Sequence, residues 1–223
     1  KASCEYIAFL DADDYYLPNR FVKDKLVFKT NYNCDGVYSA VGTHFYTQEA
    51  KIKFFEKGFG YQEILTLKGE VPPQELFAVL FNRHQNVTGE FCTNGITVKK
   101  LVFKKIGYFN TALKLRQDIH LFNRLAGFCD LYPGEIITPT AMRGIHDSNR
   151  MTKIKDHTQY INLWWKSLKK ESTRTTSNRR IFWKRCDDTR NSWKNLESTK
   201  IRDCRSRRRS LKRRRGSFKR DLT

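Results

Sequence analysis

The chain has 223 residues, of which 39% are hydrophobic, and it contains 16 Phe, 10 Tyr and 4 Trp. This apolar content can form a buried core, which excludes a wholly disordered protein. The formal charge of +20 is unevenly distributed, because residues 1–150 carry a net charge of +3 and residues 151–223 a net charge of +17. A nearly neutral globular part is therefore predicted to precede a strongly basic tail.

Several signals of other protein classes are absent from the sequence. It has no run of about 20 apolar residues that could cross a membrane, and its start lacks the basic and then apolar pattern of a signal peptide. The six cysteines include no C-x-x-C pair, so they predict reduced thiols and no zinc site. We expect a soluble protein, either in the cytoplasm or bound peripherally at the cytoplasmic face of a membrane.

The first predicted element is a strand over residues 6–10. Its residues are apolar and mostly β-branched or aromatic, which is typical of a strand buried on both faces of a parallel sheet. A central strand of this kind needs neighbouring strands, and very little chain precedes it. We therefore expect the sequence to lack an N-terminal part of its domain.

Helices and strands alternate along the rest of the globular part, which indicates the α/β class. Prolines suit the first turn of a helix and glycines its end, which defines the boundaries of several helices. The predicted helices cover residues 17–30, a segment beginning at Pro72-Pro73, residues 99–106 and residues 117–126. The predicted strands cover residues 37–41 with a continuation at 43–46, 96–98, 136–137 and 141–145.

The chain is predicted to end in a helix and a tail. The helix over residues 153–170 is amphipathic, and its Trp164, Trp165 and Leu168 predict packing on the domain. A basic helix lying on a membrane surface is the alternative. Residues 171–223 are basic and of low complexity around Arg205 to Arg215, which predicts disorder.

An acidic cluster, Asp11-Ala12-Asp13-Asp14, directly follows the first strand. In extended chain, residues two apart point to the same side, so Asp11 and Asp13 would present their carboxylates together. Two converging carboxylates favour a shared hard cation, Mg²⁺ or Mn²⁺, that bridges to a phosphorylated substrate. The alternatives are a plain turn or helix cap, and a phosphatase of the haloacid dehalogenase type. The phosphatase is disfavoured because Asp14 stands where such sequences usually have Thr or Val.

Two further groups could carry chemistry. Asp118 shares a helix face with Leu121, Phe122 and Leu125, so its carboxylate is predicted to point inward, although a first-turn acid also favours the helix dipole. Partial burial would suit it to act as a general base. Arg143, His146 and Arg150 offer cations and an imidazole for phosphate or a metal, or they form an ordinary surface loop.

Taken together, these stretches resemble glycosyltransferase family 2, the inverting enzymes of GT-A fold that use nucleotide-diphospho sugars. The resemblance covers about residues 3–152 and rests on an ordered series of motifs. The series consists of Glu5 to Pro18 with its Asp11-Ala12-Asp13-Asp14, Thr93-Asn94-Gly95, Ile106 to Leu113, Gln117-Asp118, Arg124-Leu125-Ala126, and Arg143-x-x-His146-x-x-Asn149-Arg150.

The resemblance implies a mixed, mostly parallel GT-A sheet flanked by helices, of which residues 1–152 form the C-terminal part. It implies the following roles: Asp118 as general base; Asp11, Asp13 and His146 on a Mg²⁺ or Mn²⁺ ion; Asp11, Ala12, Asp13, Arg143 and Arg150 on the donor; and Thr93, Asn94, Gly95 and Gln117 on the acceptor. The chain departs from the family at Gln117, where an acidic residue is usual. It also departs in having no nucleotide-gripping first strand, as expected of a truncated domain.

The expected activity is transfer of a sugar from a nucleotide-diphospho donor to the hydroxyl of a glycan, lipid-linked or protein acceptor, with inversion. A second hypothesis is a nucleic-acid-binding or anionic-surface-binding protein that acts through residues 171–223, because their excess positive charge attracts polyanions at low salt. No single-strand stacking platform or recognition motif supports that hypothesis. A third is a non-catalytic fragment whose tail is an out-of-frame extension.

Overall fold

The computed structural model describes residues 2–56, 64–67, 69–81, 84–146 and 158–172. Residues 1–170 form one compact unit. Its strands and helices confirm the α/β class, with two mixed sheets. The predictions for the basic tail from residue 173 onward lie outside the described residues, so the disorder proposed there stays a prediction.

The larger sheet has four strands in the order β1, β5, β3, β6. They are β1 (Tyr6–Ala8), β3 (Gly36–Tyr38), β5 (Ile96–Lys99) and β6 (Leu131–Pro133). Strand β5 runs antiparallel to both β1 and β3, whereas β3 runs parallel to β6. Strand β3 is wholly buried and β1 only half so, which contradicts the prediction that the first strand is buried on both faces.

The smaller sheet has three strands in the order β2, β7, β4. They are β2 (Tyr15–Tyr16), β4 (Val41–Phe45) and β7 (Ala141–Ile145). Strand β7 pairs antiparallel with β2 and parallel with β4. Three of the five pairings between described strands are therefore antiparallel, and the expectation of a mostly parallel sheet is wrong for this part of the chain.

The predicted strand over residues 37–41 is divided between the two sheets. Ser39 and Ala40 link β3 to β4, and their N–H groups donate to the carbonyls of Gly95 and Glu135, outside either ladder. The apolar run was continuous, so nothing in its pattern marked this change of sheet. The predicted strand at 136–137 is also wrong, since Ile137 is 80% exposed and the strand in this region is β6.

The helices are α1 (Val22–Thr30), α2 (Gln48–Glu56), α3 (Leu76–Leu80), α4 (Val102–Ile106), α5 (Gln117–Phe128) and α6 (Thr158–Ser172). Helix α1 begins later than predicted because Asn19 has a left-handed φ of 66°, which separates Pro18 from the helix. Gly107, with φ of 76°, ends α4 as predicted, whereas α5 continues through Gly127 to Phe128.

Helix α6 packs on the globular unit. Trp164 and Leu168 are 2% and 0% exposed, and the Trp164 and Trp165 rings lie 6.2 Å and 5.9 Å from that of Phe81. This burial confirms a helix packed on the domain over Thr158–Ser172, and residues 153–157 of the predicted helix lie outside the described residues. Within the described ranges, none of the helices has the length and apolar character needed to cross a membrane. The four described cysteines are free thiols, as expected.

Candidate functional site

The acidic cluster forms a turn. Strand β1 ends at Ala8, and the Asp14 N–H donates to the Asp11 carbonyl at 3.1 Å. The prediction that Asp11 and Asp13 share one side of an extended chain is therefore wrong, because the turn breaks the two-residue alternation. Asp11 and Ala12 are exposed, whereas Asp13 and Asp14 are half-buried.

Asp13 lies beside His146, as the predicted metal set requires of these two residues. The Asp13 Oδ2 atom is 2.9 Å from Nε2 of His146, although the residues are 133 positions apart in the sequence. Their side chains keep 37% and 31% of their exposure, so both can be reached from solvent. The contact exists because His146 immediately follows β7, and β7 pairs with β2, the strand that directly follows the acidic turn.

Asp14 fastens the turn to β7. Its Oδ1 accepts a hydrogen bond of 2.9 Å from the N–H of Gly144. Burial raises the pKa of Asp14, and the carboxylates of Asp13 and Asp11 raise it further, while the Gly144 bond and the Arg143 charge lower it. Asp14 was predicted only as a member of the acidic cluster, because its hydrogen bond joins residues 130 positions apart in the sequence.

Three charged side chains act on the half-buried thiol of Cys92. Burial raises the pKa of this thiol to about 12, while the Arg143 charge lowers it and the Asp14 and Asp118 charges raise it. Arg143 also lowers the pKa of Asp14, so its positive charge acts on both groups. By strand alternation Arg143 points to the opposite face of β7 from Gly144.

Asp118 occupies the first turn of α5 and is half-buried, whereas the apolar residues with which it was predicted to share an inward face are buried. Its Oδ1 accepts a 2.8 Å hydrogen bond from the N–H of Ile119. Arg116, just before the helix, has a left-handed φ of 63°. The Gln117 side chain donates to the Leu113 carbonyl, so it turns back toward the loop before α5.

The Thr93–Gly95 segment forms a 3-10 turn before β5. Asn94 is fully buried, and its Nδ2 donates to the Met142 carbonyl of β7 at 3.3 Å. A Cβ on Gly95 would lie 2.6 Å from the Ser39 carbonyl oxygen, which explains the need for glycine. Asn94 and Gly95 are thus packed inside the fold, and Thr93 is the half-buried member of the predicted acceptor set.

A buried ion pair connects the Thr93–Gly95 turn to α1. Arg20 lies just before α1 and Asp24 lies within it. The two form an ion pair at 2.8 Å, and each side chain is 2% exposed. Asp24 also accepts from Ser39 Oγ at 2.9 Å and from Thr97 Oγ1 at 2.6 Å. Because Arg20 Nε donates to the Asn94 carbonyl at 3.2 Å, the pair joins α1 to the turn and to β5. Such long-range contacts leave no local sequence signal.

His120 is a second buried polar residue that sequence reasoning missed. It is 0% exposed in α5, and neither ring nitrogen has a hydrogen-bond partner among the described residues. Burial and, to a smaller extent, the Arg124 charge together lower its pKa to about 3. His120 lies two residues after Asp118 in α5, and its neutral ring is buried in the core.

The predicted donor contact Arg150 lies outside the described residues. Among the residues that are described, no group of three or more His, Cys, Asp or Glu side chains is arranged to hold a metal ion. Asp11, Asp13 and His146 form no such group, and among them Asp13 and His146 are in contact. The chain matches no protein-family model and no curated protein sequence.

Proposed function

We propose that the chain is part of an inverting, metal-assisted glycosyltransferase of the type that family 2 represents. The contact between Asp13 and His146 carries the proposal, because two distant sequence motifs meet at 2.9 Å in a solvent-accessible place. The second support is that the charges of Asp118, Arg143 and Asp14 all act on the pKa of one thiol, that of Cys92. A sugar transferase needs these two functions side by side: a site for the diphosphate and a base for the acceptor.

Asp13 and His146 fit Mg²⁺ or Mn²⁺ as a two-residue site. Such an ion commonly takes only one or two protein ligands and completes its shell with substrate phosphates and water. When bound, it would offset the negative charge that develops on the departing diphosphate. Because Asp11 is exposed and begins the turn, we assign it to contacts with the donor.

Asp118 is the proposed general base. It takes the proton of the acceptor hydroxyl as that oxygen bonds to the anomeric carbon and the bond from this carbon to the diphosphate breaks. Proton transfer to a well-placed base contributes typically about 10²–10⁴-fold to the rate. Arg143 supplies positive charge that acts on Asp14 and lowers the pKa of its carboxyl. Thr93 is the residue of its turn that can still contact an acceptor.

Binding of nucleoside diphosphates to the full chain tests the donor site. Calorimetry with UDP, GDP, CDP and TDP, each with and without Mn²⁺, should detect one that binds only when Mn²⁺ is present. Asp13→Asn and His146→Ala should each weaken that binding at least about tenfold, the loss expected when a charged or metal-binding partner is removed. The matched control is Asp130→Asn, since Asp130 is an exposed acid outside the site. Binding that is independent of Mn²⁺, or that survives both substitutions, contradicts the proposal.

Measurements of turnover test the assignment of Asp118 as the general base. With the nucleotide sugar that corresponds to the bound diphosphate, Asp118→Asn should lower the release of diphosphate about 100-fold or more, in line with the loss of a general base. The same variant should bind the diphosphate as the unmodified chain does. Equal turnover in the two proteins would remove Asp118 from the mechanism.

A further inference from the structure

Strand β1 is an edge of the four-stranded sheet, and its outer side is open. Its inner side pairs with β5, and the Lys100 N–H extends that pairing by donating to the Glu5 carbonyl at 2.7 Å. Backbone groups alternate in direction along an antiparallel strand, so those of Tyr6 and Ala8 point away from β5. Among the described strands, none pairs with this outer side. The edge therefore presents backbone donors and acceptors to which a further strand could bind.

The outer side of β1 lacks two common protections against pairing with another strand. Charged residues and prolines often provide such protection, and residues 6–10 contain neither. The opposite edge strand of the same sheet, β6, contains Pro133, which has no N–H to donate. Of the two edges of this sheet, the one formed by β1 is therefore better suited to accept a strand.

Apolar side chains remain exposed around this edge. Tyr6 packs on Phe28 of α1, with ring centroids 4.6 Å apart, yet it is 42% exposed. Phe9 packs against Phe109 at 5.6 Å, and Phe109 is 37% exposed. Leu10 is 49% exposed. A strand added at this edge would remove apolar surface from water, which favours its association.

The β1 edge can pair with a copy of itself. With a two-fold axis at Ile7, Tyr6 of one copy lies opposite Ala8 of the other, and the symmetry repeats this pair. Because the backbone groups of both residues point outward, each pair exchanges both of its N–H···O bonds. An isologous contact of this kind uses the same surface on both subunits.

The charges at the ends of the run favour that register. With the axis at Ile7, Glu5 lies opposite Phe9, so the carboxylate faces an apolar ring. If the axis moved to Ala8, Glu5 would lie opposite Asp11, and like charges directly opposite each other are destabilising. A second copy paired about Ile7 therefore complements this edge.

We propose that β1 pairs antiparallel with β1 of a second copy of this chain, about a two-fold axis at Ile7. The two four-stranded sheets then join into one continuous sheet. Because a pair of short strands makes a small interface, the dimer is weak and reversible. It does not depend on the proposed transferase function, since β1 contributes its outer backbone and no group of the candidate site.

Sedimentation equilibrium of the full chain across the micromolar range measures the self-association. A reducing agent keeps the exposed Cys4 from forming disulfides, and salt screens the repulsion that follows from a net charge of +20. A monomer–dimer equilibrium is expected. Ala8→Pro removes an outward N–H from each copy and leaves the bonds to β5, so it should weaken the dimer at least about tenfold. Tyr32→Ala is the matched control, because Tyr32 is 95% exposed and follows α1.

Cross-linking tests the register and does not depend on how the proline variant folds. The two Ile7 residues would form a non-hydrogen-bonded pair, in which the Cα atoms lie about 4.5 Å apart, within the range of a disulfide. With Cys4→Ser in both proteins, glutathione disulfide should oxidise Ile7→Cys to a covalent dimer at least about tenfold faster than Tyr32→Cys, because pairing raises the effective concentration of the thiols.

Two results would overturn the dimer. The first is a monomer at every concentration, with equal cross-linking of Ile7→Cys and Tyr32→Cys, which would leave the edge to a strand from another source. The second is a dimer that a folded Ala8→Pro variant leaves unchanged and that Ile7→Cys does not cross-link faster than the control, because association would then use another surface. If Ala8→Pro unfolds, which urea denaturation detects, the cross-linking rates alone decide.

Discussion

Asp24 and Asp13 have opposite surroundings. Asp24 is 2% exposed, and its two oxygens accept from Arg20, Ser39 and Thr97 at 2.6 to 2.9 Å. Asp13 is 37% exposed and faces His146 from a turn. A carboxylate with its acceptor positions used inside the protein holds the fold together, whereas one at the surface remains available to a ligand. The two residues therefore separate the stability of this chain from its proposed chemistry.

The largest effect is expected from Asp24→Ala. The substitution leaves the Arg20 charge buried without its carboxylate, together with the Ser39 and Thr97 hydroxyls. Breaking a buried pair by removing one partner costs about 3–5 kcal/mol of unfolding free energy, which urea denaturation measures. Asp130→Ala, at an exposed acid, should change stability by less than about 0.5 kcal/mol. A loss below about 1 kcal/mol for Asp24→Ala would show that the network is dispensable.

The next largest expected effect is the loss of unfolding free energy that His120 causes at low pH. Its pKa in the folded protein is about 3, below the ordinary value of 6.5, so the unfolded chain binds the extra proton first. Stability is therefore lost as the pH falls from 6.5 toward 3, by about 2 kcal/mol at pH 5 from this residue.

Urea denaturation of the unmodified chain and of His120→Leu at pH 7 and pH 5 isolates this contribution. The leucine cannot titrate, so the variant should lose about 2 kcal/mol less than the unmodified chain between these pH values. An equal loss in the two proteins would mean that His120 accepts its proton inside the fold, through a rearrangement of α5.

The smallest stability effect is expected from Asp13→Ala. Exposed ion pairs contribute about 0–1 kcal/mol, so the urea midpoint should barely move. The same variant should lose the Mn²⁺-dependent binding of nucleoside diphosphate described above. A stability loss as large as that of Asp24→Ala would mean that the contact with His146 is structural, and the contrast between the two aspartates would disappear.

Parts of this arrangement followed from the sequence. Helix α5 was predicted because Leu121 and Leu125 repeat at helical spacing, and both are fully buried. The end of α4 followed from Gly107, whose positive φ favours glycine. Local patterns of this kind are properties of a few neighbouring residues, so one sequence is enough to read them.

Other parts depend on contacts between distant residues. The motif resemblance placed Asp13 and His146 in one metal set, but spacing alone could not bring together residues 133 positions apart. The turn at Asp11–Asp14 overrode strand alternation because its backbone hydrogen bond closes the chain locally. The roles of Asp24 and His120 depend on which strands and helices become neighbours, and no periodicity in the sequence encodes that.

The two-residue joint of Ser39 and Ala40 has a consequence for engineering. It is the direct link from β3 in one sheet to β4 in the other. One inserted residue at this joint that shifted β4 along β7 by a single position would exchange its two faces. His44 and Phe45 would exchange faces of the sheet, so different side chains would be exposed without any change in amino-acid composition there. Insertions and circular permutations should therefore avoid this joint.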